Sequence, residues 1–235
     1  MKKTVFTLNI NNYAPEIVKM TYPLLRYWSH KIGADFYIIQ ERNFPDWPIV
    51  YEKLQIYDLG RRMGNDWNIF VDSDAIIHPE TLDWTLFLSK DTVAHNGTDM
   101  ANIRWRYNEW FRRDGRHIGS CNWFAIASDW CLDLWRPLEM TFSEALDCIF
   151  PTINEMNTNV IIKDHLIDDF ALSCNIARFG LKFTTLQKIQ EDLGMKEAGF
   201  HWHIYEDPID IKVSKMKELI KAWRIPEYIL KDYAE

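Results

Sequence analysis

Apolar residues arrive in two rhythms over the first seventy positions. Continuous runs at 4–8 (Thr-Val-Phe-Thr-Leu), 35–40 (Asp-Phe-Tyr-Ile-Ile-Gln) and 67–71 (Trp-Asn-Ile-Phe-Val) read as buried strands. Between the first two, residues 9–15 form a loop whose Pro15 suits the first turn of a helix. That helix continues to about residue 30 and stops near Gly33. After a loop at 44–48, residues 51–63 predict a second helix with Ile56, Leu59 and Met63 as its core stripe, ended by Gly64. Strand–helix–strand–helix–strand predicts an α/β fold: a Rossmann-like, mostly parallel sheet flanked by helices, with ligands received at the carboxyl ends of its strands.

The second half is less regular. A short helix is expected at 79–88, a strand running into a loop at 93–97, and a charged, aromatic-rich stretch at 104–116. Residues 119–128 read as a strand, followed by a helix that stops before Pro137 and another helix at 142–150. Residues 166–179 form a helix closed by Gly180, and 181–185 a strand; a last strand lies at 200–205 and a last helix at 212–223. With 235 residues and no repeat or low-complexity linker, one domain at 1–205 is expected. Residues 206–235 would be a helical extension packed on it.

Charge and cysteines narrow the function classes. A net charge of −7 argues against gripping nucleic acid through its phosphates. Cys121, Cys131, Cys148 and Cys174 show neither Cys-x-x-Cys pairing nor zinc spacing, so reduced thiols in the cytoplasm are expected. The opening Met1-Lys2-Lys3 precedes a strand-like run rather than a signal-peptide core. Absence of Gly-x-Gly-x-x-Gly after the first strand, and of any Gly-Lys-Ser/Thr loop, speaks against dinucleotide and P-loop nucleotide sites.

The candidate chemistry centres on Asp72-Ser73-Asp74, where the third apolar run delivers two carboxylates before turning apolar again. Two like charges in such a setting need a cation or a route to water. If they extend the strand, residues two apart face one side. All-oxygen ligation with open positions suits Mg²⁺ or Mn²⁺ holding a diphosphate. The competing reading is a strand-end turn whose carboxylates accept backbone hydrogens. Lys53 is read either as a phosphate contact or as an exposed lysine. Asp168 and Asp169 open a helix, where the dipole favours acids; the functional alternative is a general base facing an acceptor hydroxyl. His201 and His203 alternate on one strand and offer imidazoles to a metal.

In this order the pieces resemble nucleotide-sugar-dependent glycosyltransferases of the GT-A fold, such as the glycogenin and lipopolysaccharide galactosyltransferase group and related Asp-x-Asp families. The residues carrying the likeness are Phe70-Val71-Asp72-Ser73-Asp74, the upstream Lys53-Leu54, Asn122 in a strand, Asp168-Asp169 before a helix, and a late histidine. The chain departs from the glycogenin pattern in having Asn122-Trp123-Phe124, and it lacks the late His-x-x-Gly-x-x-Lys-Pro-Trp. The resemblance implies Mn²⁺ or Mg²⁺ held by Asp74 and by His203 or His201, with Asp72 helping or binding the ribose. It implies a nucleoside-diphosphate sugar donor, UDP-sugar favoured, and a glycan or other hydroxyl-bearing acceptor. Thr7, Asn9 and Tyr13 would receive base and ribose, Lys53 the phosphate, and Asp99, Arg104 and Asn122 the donor sugar. Asp169, beside Asp168, would be the base of an inverting reaction or would orient a sugar hydroxyl in a retaining one.

Two other classes use similar parts. A metal-dependent nucleotidyltransferase or phosphohydrolase also pairs acids near a cation, although residues 7–15 contain neither Gly nor Lys. An inactive carbohydrate-binding protein of the same fold is the non-enzyme alternative. Met216, Leu219, Ile220 and Trp223 form an apolar stripe among lysines. Such a helix either docks on the domain or makes peripheral contact with the inner face of a membrane.

Overall fold

Burial on both faces explains why the first and third strands read as continuous apolar runs, whereas the second, at Asp35–Ile39, is a partly exposed edge strand. Along the strand at Lys3–Leu8 (β1), Val5 joins one core cluster and Phe6 the other. The computed structural model describes residues 1–96, 105–107, 123–152, 156, 163–195 and 208–234, and the backbone of 201–203. β1 leads to α1 (Pro15–Lys31), β2 (Asp35–Ile39), α2 (Ile56–Met63), β3 (Trp67–Val71) and β4 (Ala75–Ile77). There follow β5 (Thr92–His95), β6 (Phe124–Ser128), α3 (Phe142–Asp147), α4 (Ile167–Phe179), β7 (Lys182–Thr185) and α5 (Leu186–Asp192). The chain then forms β8 (His201–His203), α6 (Ile209–Ala222) and α7 (Glu227–Asp232).

Six strands form the central sheet in the order β2-β1-β3-β6-β5-β7. β1 runs parallel to β2 and β3, and β5 parallel to β7; β6 alone is antiparallel to its neighbours. The result is a single Rossmann-like α/β domain with a mostly parallel sheet. Ile69 and Ile126 point to the face covered by α1, with Leu25 and Trp28. Phe70 and Ala125 point to the other, with Leu59 of α2 and Leu172 and Ile176 of α4. A small second sheet pairs β4 with β8 antiparallel.

Several elements differ from the sequence expectation for local reasons. At 79–88 only a 3-10 turn forms, Trp84–Phe87, because the Asp83 carboxylate accepts from the Thr85 N–H and caps one tight turn. The segment expected as one helix from residue 51 begins as a 3-10 stretch, Ile49–Gln55. There Glu52 is buried, accepting from the backbone N–H groups of Asn43 and Phe44. The stretch before Pro137 is likewise 3-10, Asp129–Trp135. β4, α5 and α7 are additional. Cys131, Cys148 and Cys174 are thiols; Cys121 and most of 104–122 lie outside the described residues.

The C-terminal helices lie on α1. Met216 packs with Ala14 and Ile17, while Leu219, Ile220 and Trp223 pack around Leu24, Ile76 and Ile229. The stripe that would have served a lipid surface is thus covered by the domain itself. Among the described residues, no helix is long and apolar enough to cross a membrane.

His95, at the end of β5, is fully buried, and burial pushes its pKa down to about 4. The unfolded chain binds this proton near the ordinary value of 6.5 and the folded chain does not. The contribution to stability is therefore complete above the unfolded value and is lost as pH falls toward the folded one. The loss should be about 3 kcal/mol, from roughly 1.4 kcal/mol per unit. Urea unfolding of wild type and His95→Gln at about pH 7 and about pH 4 checks this: the acid-induced loss should shrink by that amount in the variant.

Candidate functional site

The ends of β1 and β3 are neighbours because the two strands are parallel and adjacent, with Phe6 opposite Phe70. The loop after β1 and the Asp72–Ser73–Asp74 segment after β3 therefore open on one edge of the sheet, where α/β folds receive ligands. The acids do not continue the strand. β3 ends at Val71 and β4 begins at Ala75, so the triplet is a turn closed by the Ala75 N–H donating to the Asp72 carbonyl at 3.0 Å. Two-residue alternation does not apply to a turn. Thr21 of α1 donates its hydroxyl to the Ser73 carbonyl at 2.7 Å, and the Asp72 N–H donates to the Trp123 carbonyl at 2.9 Å. A side-chain bond from a helix and a backbone bond from the β6 side thus hold the turn.

The two carboxylates face two different lysines. Asp72 Oδ1 lies 3.6 Å from Lys53 Nζ, and Asp74 Oδ2 lies 2.7 Å from Lys212 Nζ on α6. Lys53 is not an exposed lysine: it is 1% exposed. Its ammonium donates to Asp168 Oδ2 at 2.5 Å and lies 4.5 Å from the Phe70 ring centre. Burial pulls the Lys53 pKa down, but the Asp168 and Asp72 carboxylates outweigh it and leave the pKa above the usual lysine value. Such a lysine stays charged and ties the acid turn to the first turn of α4. There Asp168 Oδ1 accepts the Asp169 N–H at 2.8 Å, and Asp169 Oδ2 accepts the Tyr107 hydroxyl at 3.0 Å. Burial and then Asp169 raise the Tyr107 pKa well above the ordinary tyrosine value, so it remains a donor.

A continuous polar chain thus runs Tyr107–Asp169–Asp168–Lys53–Asp72, and Asp74–Lys212 adjoins it across the turn. Among the described residues this chain brings together four carboxylates and two ammoniums. Asp72 is the most open of the four carboxylates, its side chain 25% exposed against 12% for Asp74 and 5% for Asp168, with Asp169 buried.

The loop after β1 is conformationally unusual. Asn11, Asn12 and Ala14 all have positive φ, at 59°, 53° and 42°. Asparagine tolerates this region; alanine there is strained, and such strain persists where surrounding structure imposes it. Tyr13 is 42% exposed. Its pKa is raised, by burial first and then by the Asp74 carboxylate, and its hydroxyl interacts with Lys212. The Thr7 and Tyr22 hydroxyls and the Asn9 amide oxygen are buried at the same end of β1. Thr7 and Asn9 lie close enough to the Tyr22 hydroxyl to act on it as side-chain hydrogen-bond partners, although none of the three polar atoms has a partner of good geometry. Polar atoms in that condition call for water or a ligand.

β8 pairs with β4 so that His203 stands opposite Ala75 and His201 opposite Ile77. The backbone of His203 is thereby one register position from Asp74, and His201 is two positions farther along. Asp99, Arg104 and Asn122 lie outside the described residues. Among the described residues no three His, Cys, Asp or Glu side chains converge as a metal would need. A cation at Asp72 and Asp74 would take further ligands from elsewhere. The carboxylate chemistry of Asp72 and Asp74 fits a divalent ion with oxygen ligands.

Sequence reasoning missed Lys212, Tyr107 and Thr21. Lys212 had a legible signal: positions 212, 216, 219 and 223 fall on one helical stripe, so a lysine heads an otherwise apolar buried face. Tyr107 gave none.

No family model matches the chain, and no curated protein matches it. Among solved structures it is similar to a glycosyltransferase involved in the glycosylation of the major capsid of PBCV-1. That likeness has 8% identity over 93% of this chain and 100% of the other, with a TM-score of 0.49. It is also similar to A197 from STIV, at 16% identity over 57% of this chain and 68% of the other, with a TM-score of 0.33. Likeness at this level leaves the activity to be argued from the chain's own residues.

Proposed function

We propose that the protein is a GT-A-type glycosyltransferase that moves a sugar from a nucleoside-diphosphate sugar, UDP-sugar favoured, to a glycan or other hydroxyl-bearing acceptor. The observation that carries this reading is the acid turn after β3. It lies beside the strained loop after β1 and is joined through Lys53 to a second acid pair. Asp72 and Asp74 would hold Mn²⁺ or Mg²⁺, with His203 the nearer of the two histidines by register. When bound, the ion would supply charge neutralisation for the departing diphosphate.

The remaining roles belong to the chain. Thr7, Asn9 and Tyr13 line the base and ribose end, where Tyr13 offers an exposed ring and Thr7 and Asn9 offer unsatisfied polar atoms. Lys53 is a positioning residue, because an ammonium so buried between Asp168 and Asp72 orients them rather than meeting a phosphate. Asp169, held by the Tyr107 hydroxyl, accepts the acceptor proton if configuration inverts and orients a sugar hydroxyl if it is retained. Asp99, Arg104 and Asn122 are proposed at the donor sugar.

Thermal unfolding with Mn²⁺ and a set of nucleoside diphosphates tests the site directly. A ligand at about a hundred times its Kd adds roughly 2.7 kcal/mol. At about 2–4 °C per kcal/mol for a chain of this size, UDP with Mn²⁺ should raise Tm by at least about 5 °C. No rise with any nucleoside diphosphate would remove the donor site.

A further inference from the structure

Lys212 approaches the acid turn from the opposite end of the chain. Its Nζ is 2.7 Å from Asp74 Oδ2, the residue is 5% exposed, and the Tyr13 hydroxyl is its other neighbour. The helix that carries it is firmly docked: Met216, one turn on, is fully buried with Ala14 and Ile17, and Leu219, Ile220 and Trp223 pack on Leu24 and Ile76. The backbone at 212 therefore stays in place, while the four-carbon side chain is long enough to change partner.

We propose that Lys212 is a tethered cation of the donor site: a divalent ion displaces it from Asp74, and it then turns to the diphosphate that arrives with the ion. The proposal rests on the metal–diphosphate reading above. Two cations on one carboxylate oxygen repel each other, so the ion and the ammonium exclude each other at Asp74. A displaced ammonium left beside the Tyr13 hydroxyl with no counter-charge in so buried a place is costly. A diphosphate beside it removes that cost. The ion alone should accordingly bind weakly, and ion and diphosphate should each strengthen the other, reciprocally. Lys212 then sets the order in which the site fills, and it favours donors that carry phosphate.

The test measures Mn²⁺ binding to the full chain by calorimetry, with and without UDP, for wild type, Lys212→Met and Lys212→Gln. The glutamine variant keeps a hydrogen-bond donor on Asp74, in case methionine leaves the carboxylate too poorly satisfied to fold. With the competitor gone, Mn²⁺ alone should bind about tenfold more tightly to both variants, within the usual range of site–site coupling. The tightening of Mn²⁺ by UDP, expected to be on the order of a hundredfold in wild type, should fall several-fold in both. Equal or weaker Mn²⁺ binding by both variants, with wild type binding normally, would overturn the role of Lys212 alone. Absence of Mn²⁺ binding to all three proteins, with UDP present, would overturn the metal–diphosphate reading and this proposal with it.

Discussion

Replacing Lys53 with alanine is expected to destabilise the fold by about 3–5 kcal/mol, the range for removing one partner of a buried ion pair. The magnitude follows from what stays behind. Asp168 is 3% exposed and loses an ammonium at 2.5 Å, and Asp72 loses the same charge at 3.6 Å. Replacing both sides together, as Lys53→Met with Asp168→Asn, should cost much less than the two single changes summed, because neither variant side chain is then an uncompensated buried charge. Urea unfolding midpoints at constant slope give the comparison. A Lys53→Ala protein within about 0.5 kcal/mol of wild type, the scale of an ordinary surface change, would show that the pair does not hold the two acid segments together.

The second large effect concerns activity. Asp74→Asn is expected to lower release of nucleoside diphosphate from the donor by on the order of a hundredfold or more, since it removes a proposed ligand of the charge-neutralising ion. Asparagine is the better replacement than alanine. Asp74 holds Lys212 in a buried pair, and the amide keeps an acceptor there, whereas alanine would leave the ammonium without one. A matching fall in activity and unchanged Tm would assign the loss to chemistry rather than folding. Retention of full turnover by Asp74→Asn in the presence of EDTA would sink the metal role of this residue.

The frame of the site was legible because its first and third strands are buried on both faces. Runs such as Val5-Phe6 and Ile69-Phe70 supply one residue to each of two core clusters, which makes them read as apolar runs. Gly64 and Gly180 mark real helix ends, with φ of 64° and 61°. The succession of β1, β2 and β3 along the chain and the place of Asp72 and Asp74 after the carboxyl end of β3 follow from that frame. What could not be read was partnership through space. Nothing local links Lys53 to Asp168, 115 residues away, or Lys212 to Asp74, 138 residues away. The apolar stripe of α6 left a membrane surface open beside the favoured docking on the domain, and Met216 against Ile17 shows the docking. The turn at Asp72–Asp74 was one of two readings left open for a different reason: apolar residues on both sides also allow a continuing strand, whereas β4 belongs to a second sheet with β8.

The central claim is that the acid turn serves transfer from a nucleotide sugar. Its most direct test is to incubate the protein with a panel of nucleotide sugars and Mn²⁺, with and without EDTA, and to quantify the nucleoside diphosphate released. Release is expected from at least one sugar donor, UDP-linked before others, and is abolished by EDTA and by Asp74→Asn. Undiminished release by Asp74→Asn in EDTA, or no release from any nucleotide sugar by a protein that binds Mn²⁺ and UDP, would contradict it.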